Sequence, residues 1–173
     1  MRIHPMQKGI PFKTAGAALL VGAIAFGATT MGADVANAEA DAPRKFRKKG
    51  TYDDVRFELN NAIIARGLNI NTPGNIGEML DRTGPDIGAT KKIYKTAEYL
   101  TFCSAKLSRQ MMEADPVNLT FCPFVIVIYE TSDNPGEVVV AYRPLAAHGN
   151  AASKAAIAEA EKLLDGIARE ATK

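Results

Sequence analysis

Apolar residues recur every three or four positions in four parts of the sequence, which is the spacing of amphipathic helices. A side chain that can cap a helix N-terminus precedes the first three of these parts: Thr51, Asn75 and Ser104. Asp115-Pro116 is expected to end the third helix. In chain order, the apolar positions are Val55, Leu59, Ala62 and Ile63; Ile76, Met79 and Leu80; Leu107, Met111 and Ala114; and Ile157, Ala160, Leu164 and Ile167.

Short alternating or continuous apolar runs between these helices predict strands. Residues 68–71 ("LNIN") alternate, another strand is expected within 93–102, and residues 124–130 ("FVIVIYE") form a hairpin with 137–143. Because the third run is apolar on both faces, it is expected to be a central strand that is covered on both sides. These elements predict an α+β fold, a two-layer sandwich in which a small mixed sheet packs against helices.

The N-terminal residues have the layout of a secretory signal peptide. Arg2, Lys8 and Lys13 precede an uncharged apolar stretch, and "ANA" at 36–38 supplies the small residues of a cleavage site. Cleavage is expected after Ala38, although the apolar stretch is nearly long enough to serve as an uncleaved membrane anchor. The predicted location of the mature chain is the periplasm or the extracellular medium, with no attachment to the membrane.

Removal of residues 1–38 would change the charge balance. The sequence carries 21 Lys and Arg against 19 Asp and Glu, and losing three basic residues and one acidic residue leaves 18 of each. The basic run "RKFRKK" at 44–49 is interpreted as part of a polar, unanchored leader over residues 39–50, followed by a single domain over 51–173. Nucleic acid is not an expected partner, because the mature chain is exported and no aromatic stacking pattern accompanies the basic run.

The two cysteines, Cys103 and Cys122, carry most of the candidate chemistry. In an oxidising compartment the default expectation is a disulfide, which would close a loop of about 20 residues. If the flanking strands were joined by a right-handed parallel crossover, the cysteines would lie at opposite ends of the sheet, too far apart to bond. An antiparallel relation would bring them together, so the sequence leaves this question open.

Two alternatives give the cysteines a reactive role. Cys103 lies just ahead of a helix N-terminus, whose dipole would lower its thiol pKa, and Cys122 could act as the resolving partner. Alternatively, the pair and His148 could hold a metal or an unknown cofactor, although no two of them have the short spacing usual for zinc ligands. The simpler interpretation of His148 is an exposed loop residue. Met111 could be a copper ligand, but its position on the apolar side of its helix favours a core residue.

No motif of a known enzyme class is present in the sequence. Glu98, Asp115 and Glu130 are scattered carboxylates that no spacing pairs into an acid/base couple. "NLT" at 118–120 matches a glycosylation acceptor, but Asn118 is interpreted as an ordinary surface residue.

Four stretches of the chain resemble the domain of unknown function 302 family: "AEYLTFCSAKLSRQMMEADP", "FCPFVIVIYE", "VVVAYRP" and "KLLDGI". The family motif falls on Cys103, Asp115-Pro116 and Cys122-Pro123. The resemblance implies a small α+β sandwich that often pairs into homodimers, and it implies no assigned activity. Many members have Asn-Pro after the first cysteine, where this chain has Ser104-Ala105.

The leading hypothesis is an exported, non-enzymatic binding or accessory domain that forms a homodimer and whose cysteines are mainly structural. The first alternative is a thiol-based redox or reactive-sulfur protein that uses Cys103 and Cys122. The second alternative is a binder of a metal or of a cofactor of unknown identity.

Overall fold

The computed structural model describes residues 42–173, so the predicted signal peptide and its cleavage site lie outside the described residues. None of the helices in this range is both long and apolar enough to cross a membrane. Two 3₁₀ helices, Gly84–Ile87 and Pro116–Phe121, follow the second and third α-helices. The strands and α-helices are β1 (Arg44–Lys49), α1 (Tyr52–Ile64), β2 (Gly74–Asn75), α2 (Ile76–Thr83), β3 (Tyr94–Phe102), α3 (Ala105–Ala114), β4 (Phe124–Thr131), β5 (Glu137–Tyr142) and α4 (Ala151–Ala171).

The predicted helix caps are confirmed. The side-chain oxygens of Thr51, Asn75 and Ser104 each accept a hydrogen bond from the backbone amide three residues on, at 3.2, 2.9 and 3.4 Å. Asp115 ends α3 as predicted, and its carboxylate accepts a hydrogen bond from the Val117 amide at 3.1 Å, which starts the following 3₁₀ helix. Local side-chain chemistry therefore accounts for where these helices begin and end.

The sheet has the order β1-β5-β4-β3-β2, and every neighbouring pair of strands runs antiparallel. The predicted two-layer α+β sandwich is confirmed, but the prediction that its sheet is mixed is wrong. The reason is the connection from β3 to β4: the 3₁₀ helix Pro116–Phe121 packs back against α3, so β4 starts at the end of the sheet where β3 stops. Residues 68–71 form no strand and contribute an isolated bridge between Ile70 and Phe102.

Strand β1 differs most from the sequence interpretation. Arg44–Lys49 was expected in an unanchored leader, whereas the structure pairs it along its whole length with β5 as an edge strand. Basic side chains suit an edge strand because they discourage pairing with another chain. Phe46, the apolar residue of this strand, stacks on Tyr142 with 6.4 Å between ring centroids, and it anchors the strand to the core.

The hydrophobic core lies on one face of the sheet. There the inward side chains of β3, β4 and β5 pack against α1 and α4, and Met111 of α3 joins them as predicted. The buried strand residues of this core are Leu100, Phe102, Phe124, Ile126, Ile128, Val138, Val140 and Tyr142.

The opposite face of the sheet is only partly covered. There α2 approaches β3 so closely that a Cβ on Gly77 would lie 3.0 Å from the Ala97 amide nitrogen. Val125 of β4 is 44% exposed, so the prediction that this strand is covered on both sides is wrong. The outward residues Val125, Val127 and Tyr129 of β4 form a partly exposed apolar surface, called the uncovered face below; Val139 and Ala141 of β5 lie beside it and are buried.

Candidate functional site

Cys103 and Cys122 lie at the same end of the sheet, called the cysteine end below. Cys103 directly follows β3, and Cys122 lies two residues before β4, joined to Pro123 by a cis peptide bond. Because the antiparallel register sets Phe102 opposite Phe124, the two cysteines are brought together. The parallel arrangement that would have separated them does not occur.

Neighbouring elements hold the two thiols in place. The Cys122 amide donates to the Leu119 carbonyl at 3.0 Å, and the Cys122 Sγ lies 3.2 Å from the Ser108 Oγ on α3. Ser104 caps α3 and leaves Cys103 just outside the helix. Both thiols are free; Cys103 is exposed, and Cys122 is half-buried.

The surroundings of Cys103 act on the pKa of its thiol in both directions. Partial burial of the thiol raises the pKa of Cys103 above its ordinary value, and the neighbouring Cys122 raises it further. A hydrogen bond with the Phe124 backbone lowers the pKa by less than these two effects raise it. The net direction is opposite to the one that the helix-dipole argument predicts.

His148 lies beside this region without completing a metal centre. Its ring packs on Phe121 with 5.7 Å between centroids, and its Nδ1 is 4.0 Å from the Asp115 Oδ2. Within residues 42–173, no three His, Cys, Asp or Glu side chains are grouped closely enough to hold a metal ion. The described geometry therefore does not join His148 and the cysteines into one ligand set.

An apolar cavity of about 570 Å³ opens beside Pro123. Its walls come from both faces of the sheet, with Val125 and Val127 from the uncovered face and Leu164 from the core side. Arg143 is the one charged side chain among the described lining residues. This size and this mostly apolar lining are typical of a small-molecule site. The other lining residues are Pro43, Thr120, Phe121, Phe124, Ala141, Tyr142, Pro144 and Leu145.

The opposite end of β4, called the glutamate end below, contains a buried carboxylate that sequence reasoning left unassigned. Glu130 is 2% exposed, and its Oε1 accepts hydrogen bonds from the Gly136 amide at 2.7 Å and the Lys95 Nζ at 3.1 Å. These two donors, the Gly136 amide foremost, hold the pKa of Glu130 below its usual range despite its burial. On the next strand Glu98 pairs with Arg56 at 2.8 Å. The sequence feature that could have indicated a buried carboxylate is the position of Glu130, an inward position of an otherwise apolar strand.

Asn118 is buried, so its interpretation as a surface residue is wrong. Its Nδ2 donates to the Met111 carbonyl at 2.7 Å and to the Ser153 Oγ at 2.9 Å. These hydrogen bonds join the C-terminal end of α3 to the first turn of α4. Its role is structural, and the sequence match to a glycosylation acceptor falls on a side chain without solvent access.

Comparisons with known proteins agree with this architecture. The crystal structure of an uncharacterised conserved protein DUF302 from Bacillus stearothermophilus has a TM-score of 0.62, and the match covers 76% of this chain and 98% of that chain. The two sequences are 13% identical, so this likeness shows a shared fold. No curated protein matches the sequence. The family described as Domain of unknown function DUF302 matches residues 44–171, and the chain belongs to that family.

Proposed function

We propose that this chain is an exported, non-enzymatic binding or accessory module whose binding site is at the cysteine end of the sheet. The observation that carries the proposal is the apolar cavity beside Pro123, with Arg143 at its wall. The carboxylates that could serve as an acid or a base have structural partners instead: Glu98 pairs with Arg56, and Glu130 bonds to Gly136 and Lys95. Export rests on the signal-peptide pattern of residues 1–38.

The two cysteines are proposed to form a disulfide in the oxidising compartment. Support comes from the antiparallel register, which brings both to one end of the sheet. The chain neighbours of Cys122, Phe121 and Pro123, line the cavity. A bond that closes a loop of about 20 residues contributes about 3 kcal/mol to stability if it is unstrained. The disulfide would fix the end of β3 against the start of β4, and Phe124 and Val125 of that strand line the cavity.

The redox alternative receives less support. A thiol attacks a disulfide as its thiolate, and the raised pKa of Cys103 reduces the thiolate fraction at neutral pH. The metal alternative also receives less support, because no group of three ligating side chains occurs in the described part of the chain.

A thiol–disulfide exchange assay separates the binding module from a redox protein. The reduced protein is mixed with a small aromatic disulfide, and the release of thiol is compared with that of free cysteine at the same pH. The wild type is expected to react no faster than free cysteine. A much faster reaction that Cys103→Ser abolishes, and that Cys122→Ser leaves stalled at a mixed disulfide, would establish the redox alternative instead.

The module is further proposed to be a homodimer in which a second copy covers the uncovered face. Support comes from the 44% exposure of Val125 and the half-buried state of Val127 and Tyr129, since a strand this apolar normally has both faces covered. A competing apolar surface is the outer side of α1, where Phe57 is 62% exposed.

Matched charge substitutions distinguish these two surfaces. Tyr129→Glu is expected to convert the dimer to a monomer in light-scattering or sedimentation measurements, whereas Phe57→Glu leaves the dimer intact. A monomeric wild type would contradict the homodimer. If only Phe57→Glu dissociates the dimer, the interface is on α1 and not on the uncovered face.

A further inference from the structure

We propose that the cavity at the cysteine end binds a single-chain amphiphile with an anionic head group, of which a medium-chain fatty acid is the simplest example. The alkyl chain occupies the apolar cavity, and the head group binds the guanidinium of Arg143. This inference rests on the proposed binding function and adds the chemical class of the ligand.

The shape and lining of the cavity favour an alkyl chain. Its volume is about 570 Å³, and its walls include Phe121, Leu145 and Leu164 together with the valines of β4. Because the walls come from both faces of the sheet, an alkyl chain bound between Val125 and Leu164 would pass the end of the sheet, and the second copy of the proposed dimer would cover it on the Val125 side. Burial of each additional methylene raises affinity about fourfold in such surroundings.

Arg143 is suited to bind the anionic head group. It is exposed, it lines the cavity, and among residues 42–173 its guanidinium makes no salt bridge. By contrast, Arg56 and Arg169 are paired with Glu98 and Asp165. A planar guanidinium binds a carboxylate or a phosphate through two parallel hydrogen bonds, so an available arginine beside an apolar cavity selects an anionic amphiphile.

Two other cavities fit this ligand less well. The cleft between β1 and α4 measures about 920 Å³, but six of its ten described lining residues are charged, both acidic and basic. The cavity at the glutamate end, about 480 Å³, is lined by three carboxylates, Asp53, Glu98 and Glu130, against a single lysine, Lys95, so its net negative charge disfavours an anion.

A third cavity, about 490 Å³ between α2 and β3, is also mostly apolar, but its Lys91 and Lys92 are paired with Asp133 and Asp81. Among these cavities of the described residues, the one beside Pro123 combines apolar walls with a single, unpaired positive charge.

The test uses octanoate as the probe and 1-octanol as its neutral match, measured by calorimetry on the purified mature protein. Octanoate is expected to bind saturably with one molecule per chain. Arg143→Gln is expected to weaken octanoate binding about tenfold, because one charge-assisted interaction is lost, and to leave octanol binding unchanged. Arg82→Gln is the matched control, since Arg82 also makes no salt bridge among the described residues and does not line this cavity.

A second measurement locates the ligand without any variant. Methyl NMR of the wild-type protein is expected to show octanoate-dependent shifts at Val125, Val127, Leu145 and Leu164, and decanoate is expected to bind more tightly than octanoate, which binds more tightly than hexanoate. The inference is overturned by any of three results: no saturable binding, shifts confined to another surface, or equal octanoate affinity of the wild type and Arg143→Gln.

These outcomes are distinguishable from failure of the proposed function. If the protein forms the disulfide and the dimer but does not bind octanoate, the proposed ligand class is wrong, and the proposed structural roles of the disulfide and the dimer are unaffected. If the protein binds octanoate and also catalyses rapid thiol–disulfide exchange, the proposed ligand class is supported, and the proposal that the protein is not an enzyme is wrong.

Discussion

The two ends of β4 belong to the same antiparallel sheet but differ in what their polar groups do. At the glutamate end, Glu130 is buried and is held by Gly136 and Lys95. At the cysteine end, Cys103 is exposed, and Arg143, which lines an apolar cavity, makes no salt bridge with any described residue. A buried carboxylate is tolerated only when its hydrogen bonds are made, so the first arrangement serves stability. The second leaves the guanidinium of Arg143 without a salt bridge beside the cavity, where the proposed ligand would bind.

The largest expected effect is loss of the disulfide. Under oxidising conditions Cys103→Ser and Cys122→Ser should each lower the free energy of unfolding by about 3 kcal/mol, because either substitution removes the same loop closure. Chemical denaturation of the folded protein measures this. In the presence of a reductant, the wild type and both variants should become nearly equal. Unequal losses in the oxidised proteins would argue that the two residues do not share a bond.

A smaller loss is expected from the glutamate end. Glu130→Gln keeps the size of the side chain but removes the charge from two hydrogen bonds, and should lower the free energy of unfolding by about 2 kcal/mol. The control Glu58→Gln changes an exposed carboxylate on α1 and should cost less than about 0.5 kcal/mol. Equal effects of the two substitutions would show that Glu130 does not support the hairpin between β4 and β5.

The same substitution predicts how the stability difference depends on pH. Because the pKa of Glu130 is lowered in the folded protein, its contribution is fully present above the ordinary glutamate pKa of about 4.3 and is lost as pH falls through the lower folded value. The difference between wild type and Glu130→Gln should therefore be constant from about pH 5 to 8 and shrink below about pH 4. A difference that grows on acidification would mean that the folded pKa is raised.

The smallest stability effect is expected at the cysteine end. Arg143→Gln should change the free energy of unfolding of the ligand-free protein by less than about 0.5 kcal/mol, because the side chain is exposed and forms no salt bridge within residues 42–173. Thermal unfolding of this variant beside Glu130→Gln makes the comparison directly. A loss as large as that of Glu130→Gln would give Arg143 a structural role and remove the contrast between the two ends.

Features that depend on neighbouring residues were predictable from the sequence. Thr51, Asn75 and Ser104 each bond to an amide three residues away, and the apolar positions of α4 follow a single period. The hairpin of β4 and β5 crosses a short turn rich in Asp, Asn, Pro and Gly. The motif around the two cysteines also predicted the family that the comparison confirms.

Features set by distant contacts were not predictable in the same way. The direction of β4 relative to β3 depends on how the 3₁₀ helix Pro116–Phe121 packs on α3, and this direction decides whether the cysteines meet. The basic composition of β1 did not indicate an edge strand, and its partner β5 lies 88 to 98 residues further along the chain. Burial of Asn118 and the cavity beside Arg143 likewise arise from segments that are far apart in the sequence.

The central claim is that an exported protein uses Cys103 and Cys122 to fix the wall of a binding site. The most direct test is the intact mass of the protein purified from the exported fraction, after alkylation of free thiols, with and without prior reduction. The account predicts a chain that starts at Glu39 and takes up alkylating reagent at two positions only after reduction. Two alkylated thiols without reduction would contradict the disulfide, and a chain that retains residues 1–38 would contradict cleavage of the signal peptide.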